Sequence, residues 1–164
     1  MRPLDSFRAF VSRYFKNELF LNRIKNHQDF IGLNYYNHYK ILLVKGKYQD
    51  GKERSDFGWE IHPEGLYRVV KEVYKKYKKP IFITENGISD ADDDQRPEFI
   101  KNHLKWLHKA IEEGADVRGY FYWSLLDNFE WAEGFTQRFG LIEVNFETFE
   151  RKLRPSGGVY KEIC

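Results

Sequence analysis

An α/β fold built on a parallel sheet is what this sequence predicts, and three observations carry that expectation. Strand-type and helix-type runs alternate along the chain, in the order that right-handed crossovers produce. The strand-type runs end in polar and aromatic residues: Asn34 and Tyr36 after the first, Glu85 at the tip of the second, Trp123 at the end of the third. No Gly-rich phosphate loop follows any of them, which counts against a nucleotide-binding sheet. The alternation alone permits either a doubly wound sheet or part of a β/α barrel. Functional side chains gathered at the C-terminal edge of the strands favour the barrel.

Each element has its own signal. Residues 5–25 carry Phe7, Phe10, Val11, Tyr14 and Phe15 at helical spacing. Asp29 to Tyr36 reads as a strand, and the polar stretch Lys45 to Gly58 as a long exposed loop. Pro63 opens a helix with Leu66, Val69, Val70, Val73 and Tyr77 on one face. Lys75, Lys76, Lys78 and Lys79 collect at its end, where cations suit the helix dipole, so they read as a solvated cap. Ile81 to Glu85 is the second strand. Pro97 starts a helix with Ile100, Leu104, Leu107 and Ile111 along its apolar face, and Gly114 ends it. Arg118 to Ser124 is the third strand.

Bulk properties exclude several functions. A chain of 164 residues supports one core, and one domain over 1–164 is expected. A net charge of +2, with 32% charged residues of both signs mixed, points to neither nucleic acid nor an anionic membrane. No apolar run reaches the ~20 residues of a membrane span, and the N-terminus has no signal-peptide core. Cys164 is the only cysteine, which fits a reducing, cytoplasmic setting. The unusual figure is 18% aromatic residues. Indoles and phenols with an apolar face and a polar edge suit sugar pockets as well as cores.

Glu85 is the sharpest chemical signal. A strand that delivers one carboxylate to its tip, followed at once by Asn86-Gly87, places a group that is costly to bury at a sheet edge. Metal and serine chemistry find less support. Asp90, Asp92 and Asp94 imitate the start of a calcium loop, but Gln95 and Lys101 stand where Gly and Glu are needed, so the run reads as a solvated loop and helix N-terminus. His103 and His108 are five apart and off one helical face, and His27, His38 and His62 are scattered. No metal or other cofactor is expected. Ser124 and Ser156 lack a Gly-x-Ser-x-Gly elbow.

Several ordered motifs together resemble glycoside hydrolase family 1, the retaining β-glucosidases and β-galactosidases. They are Asn34-Tyr35-Tyr36, Thr84-Glu85-Asn86-Gly87, Trp123 through Trp131 (Trp-Ser-Leu-Leu-Asp-Asn-Phe-Glu-Trp), Arg138-Phe139-Gly140-Leu141 and Arg154-Pro155-Ser156. Asp56-Phe57-Gly58-Trp59-Glu60 and the tail are closest in style to the archaeal branch. The resemblance implies about three βα units, the C-terminal part of an eight-stranded (β/α)8 TIM barrel. It implies Glu85 as catalytic nucleophile, Tyr36 and Asn34 as residues positioning it, and a small-molecule β-glycoside as substrate. Trp123, Glu130, Trp131 and Phe139 are the implied sugar-binding residues, with Glu130 gripping adjacent hydroxyls and Phe139 at the subsite rim.

One departure limits the implied activity. Retaining hydrolysis uses two carboxyls about 5–5.5 Å apart, and the family's second lies in an Asn-Glu-Pro motif on an earlier strand. No Asn-Glu-Pro occurs here; Asn17-Glu18 is followed by Leu19 within a helical stretch. The N-terminal barrel half is therefore expected to be absent, and activity to need it as a partner. A non-catalytic sugar-binding chain and a barrel portion acting only through association are the alternatives.

Overall fold

The structure is a computed structural model that describes residues 3–38 and 51–164. The expected loop from Lys45 to Gly58 lies partly outside the described residues.

The first helical stretch forms as expected. Helix α1 (Pro3–Arg13) runs through a π-helical turn at Tyr14–Glu18 into α2 (Leu19–Ile24). Glu18 ties it to α3 (Pro63–Tyr77), pairing with Lys76 as well as with Arg13, and the Tyr77 hydroxyl donates to Asn22 Oδ1 at 3.0 Å. Phe7, Phe10, Phe15 and Phe20 are all more than half exposed. The periodicity found the helix, but the described residues supply no layer over its aromatic side.

Strands β1 (Ile31–Asn34), β2 (Ile81–Asn86) and β3 (Val117–Tyr122) form one parallel sheet in the order β1-β2-β3. Pleating sends Ile31 and Leu33 of β1 inward and leaves Gly32 and Asn34 outside. Helices α3 and α4 (Arg96–Glu112) pack side by side over the inward face. Leu66 and Val70, one turn apart on α3, meet Leu33, Ile81, Ile83, Leu107 and Ala110 in the main core. Pro63 starts α3 and a left-handed Lys78 (φ 53°) ends it. His103 is a core residue of α4: its Nδ1 lies 2.9 Å from the Phe99 carbonyl, its ring stacks on Phe99, and burial pushes its pKa down to about 4.

The acidic run leads into α4 as expected, but it is solvated only in part. Asp92 and Asp94 are exposed, but Asp90 and Asp93 are buried. Asp90 Oδ2 accepts the backbone N–H groups of Gln95 and Arg96 at 3.1 and 2.8 Å, capping the helix start. The Arg96 guanidinium is buried and binds Asp93, the Asp90 carbonyl and the Arg138 carbonyl. Asp93 also accepts from the Ser156 hydroxyl and backbone N–H, at 2.6 and 2.9 Å. A buried guanidinium is tolerated only when it is paired, and the Asp93 carboxylate pairs it.

The chain then closes with elements that periodicity did not reveal. Strands β4 (Ile142–Val144) and β5 (Arg151–Leu153) form an antiparallel hairpin, and α5 (Pro155–Ile163) follows. Asn145 shapes the hairpin turn, its Oδ1 accepting the N–H groups of Glu147 and Thr148.

Candidate active site

Glu85 stands near the C-terminal end of the central strand, and both neighbouring strands fix its backbone. Tyr35 N–H donates to the Glu85 carbonyl, and Trp123 N–H to the Asn86 carbonyl, each at 2.9 Å. The Asn86 side chain is fully buried; its Nδ2 donates to the Tyr35 carbonyl at 2.7 Å and its Oδ1 accepts from the Tyr120 hydroxyl at 2.8 Å. Gly87 allows the third strand to come this close. A Cβ there would lie 1.7 Å from the Trp123 carbonyl oxygen, so no other residue fits.

The side chains expected to meet do so in part. The Tyr36 hydroxyl donates to Glu85 Oε2 at 2.7 Å. Burial first, and then that bond, hold the Tyr36 phenol well above its usual pKa, with the Glu130 charge adding to the effect. Tyr36 is therefore a permanent donor to the carboxylate. Trp123 Nε1 donates to Glu130 Oε1 at 3.0 Å, fixing both side chains, and the Trp123–Ser124 peptide bond is cis. Asn34 pairs in register with Glu85 at a bulge, and its Oδ1 accepts from the Thr84 hydroxyl at 2.7 Å. Trp131 projects into solvent at 87% exposure, in a short 3-10 turn (Trp131–Glu133) with a φ of 47°.

Phe139 is placed differently from the expected rim. It is 2% exposed and forms the floor under Tyr36, whose ring meets it edge-on at 6.1 Å. Trp59 and Phe57 extend this wall: they stack on each other at 4.2 Å, and Trp59 lies 5.5 Å from Tyr36 and 6.2 Å from Phe139. Sequence reasoning passed over these two rings as pocket residues. Their signal was the aromatic pair within an otherwise polar loop.

Asp127 and Asn128, inside the Trp123–Trp131 motif, work below the site. Asp127 has no exposed side-chain surface, and Arg154 grips it with two bonds of 3.0 and 3.1 Å. It also accepts the Gly140 and Val144 N–H groups at 2.9 and 3.3 Å, with Arg138 Nη1 at 3.4 Å. Asn128 Nδ2 bonds the Ser124 hydroxyl and the Leu126 carbonyl. These bonds hold the segment that carries Trp123 and Glu130 against the β4–β5 hairpin.

The histidines are not all scattered. His38 and His62 lie ring to ring at 4.3 Å, with Glu60 beside them. Burial, and then the neighbouring His38, hold His62 below the usual imidazole pKa.

Comparison with known proteins gives the family. The model of the glycosyl hydrolase family 1 matches residues 12–164. The β-galactosidase of Saccharolobus solfataricus is 44% identical over 157 residues, 86% of this chain and 32% of that protein. β-Glucosidase A of Thermotoga maritima is 36% identical over 98% of this chain and 39% of its own length. The solved β-glycosidase from Pyrococcus horikoshii superposes with a TM-score of 0.88 at 38% identity, covering 99% of this chain and 44% of that one. The chain thus spans 32% and 39% of these two curated relatives. Its sheet and helices correspond to a portion of the family's (β/α)8 barrel. By both sequence and structure, this chain belongs to glycosyl hydrolase family 1.

Proposed function

We propose that this chain supplies the nucleophile and the sugar-binding side of a retaining β-glycosidase site, acting on β-glucosides or β-galactosides. The observation that carries the proposal is the 2.7 Å bond from Tyr36 to Glu85 Oε2. A nucleophilic carboxylate must be correctly aimed, and a phenol that stays protonated aims it by holding one oxygen. Glu85 Oε1 then attacks the anomeric carbon. The C–O bond to the leaving group breaks, giving a glycosyl ester on Glu85, which water later hydrolyses with retention. Glu130, held by Trp123, accepts hydrogen bonds from adjacent sugar hydroxyls, and the indole faces cover the apolar face of the ring. Asn34 orients the Thr84–Glu85 edge, Phe139 backs Tyr36 from below, and Trp131 offers an exposed indole at the outer side of the subsite.

The proton for the leaving oxygen has to come from a second carboxyl, and this chain carries no Asn-Glu-Pro. The acid/base therefore belongs to the part of the family barrel that the chain does not span. The cytoplasm is the proposed setting, supported by a single cysteine with no intrachain partner, and the mixed surface charge supports a small-molecule substrate rather than nucleic acid or membrane.

The test is complementation. The 164-residue chain alone should show no turnover of an alkyl β-glucoside. Mixed with the N-terminal part of a family relative that carries Asn-Glu-Pro, it should hydrolyse the substrate with retained anomeric configuration. A folded assembly that binds glucose but turns nothing over would leave the sugar-binding reading instead. Association without sugar affinity would leave a purely structural one.

A further inference from the structure

We propose that His38, Glu60 and His62 form a binding site for a divalent transition-metal ion of the zinc class, outside the glycosidase machinery. Each residue offers one ligand atom, and the three atoms lie within 4.8 Å of one another. His38 Nε2 is 3.7 Å from Glu60 Oε2. The edge of a tetrahedral zinc site with bonds of about 2.0–2.1 Å is ~3.3 Å, so small side-chain rotations close the set. Two imidazoles and one carboxylate are ligands that zinc, cobalt and nickel accept and that magnesium and calcium do not favour.

The backbone holds these donors in place. Glu60 and His62 are two apart in the segment before α3, and their ligand atoms converge with that of His38. That segment is anchored by the Arg54–Glu60 bridge and by Ile61 N–H donating to the Glu53 carbonyl at 3.1 Å. His62 sits at the start of α3, where its carbonyl accepts from the Tyr35 hydroxyl and from Gly65 N–H. Glu60 is buried; its Oε1 binds Lys52, and its Oε2 lies toward His38. A bound ion would tie the segment after β1, which carries Tyr36, to the segment that carries Trp59.

The experiment is a titration of the full chain with zinc, in a Cys164→Ser background that removes the exposed thiol. One ion per chain is expected, with affinity falling at least ~10-fold in His38→Ala and in His62→Ala. His108→Ala, which removes the exposed His108–Glu112 pair, should change nothing. Cobalt bound to the unsubstituted histidine set should show tetrahedral visible bands, and X-ray absorption should count two imidazoles, a readout that survives if a variant fails to fold. No binding, fewer than two imidazoles, or full affinity in either folded alanine variant would overturn the site.

Discussion

Replacing Glu85 with Gln is expected to abolish turnover in the complemented assembly, with kcat falling about 10³-fold or more and KM little changed. The amide matches the carboxylate in shape and still offers an oxygen to Tyr36, so the 2.7 Å contact and the fold around it persist. What disappears is the charge and the ability to form a stable glycosyl ester. An effect confined to kcat is what loss of a group needed only for bond making produces. Initial rates on an aryl β-glucoside measure it. A variant retaining a tenth of the parent kcat would show that another group attacks the sugar.

Asp127→Ala is expected to destabilise the fold by about 3–5 kcal/mol. The carboxylate has no exposed surface, and its removal strands the Arg154 guanidinium, which is 6% exposed. It also frees the Gly140 and Val144 N–H groups, each of which bonds only through folding of this segment. Gly140 sits so close that a Cβ there would lie 2.3 Å from the Asp127 backbone nitrogen, so the region cannot relax by small shifts. Urea unfolding followed by tryptophan fluorescence measures the loss. A change below about 1 kcal/mol would mean that the Arg154 pair is solvated in solution.

The alternating part of the fold was legible because burial imposes its period on the residues that meet it. Ile31 and Leu33 alternate with exposed neighbours, and Leu66 and Val70 recur one turn apart. The hairpin and the acidic loop were not legible, because long-range polar bonds specify them. Strands of three residues carry little periodicity, and Asp127 finds Arg154 across 27 positions. Asp93 finds Ser156 across 63.

The site divides the same way. Glu85, Tyr36 and Trp123 are visible as polar or aromatic residues at strand ends, and parallel pairing brings them to one edge. The Phe57–Trp59 wall and the His38–His62 pair depend on long-range ring contacts, with Tyr36 and Phe139 and across 24 positions, and spacing says nothing of those. Exposure of Phe7 and Phe15 shows the converse: periodicity identifies an apolar helix face without saying what covers it.

Glu85 as nucleophile is most directly tested by trapping the glycosyl ester. A 2-deoxy-2-fluoro-β-glucoside with a dinitrophenolate leaving group needs little proton donation to react, and the fluorine slows hydrolysis of the ester that forms. Incubated with the complemented assembly, it should release one equivalent of dinitrophenolate and add one fluoroglucosyl group to this chain. Peptide mass spectrometry should place the label on Glu85, within Ile81–Asn86. A label on any other residue, or none on an assembly that turns over aryl glucosides, would contradict the assignment.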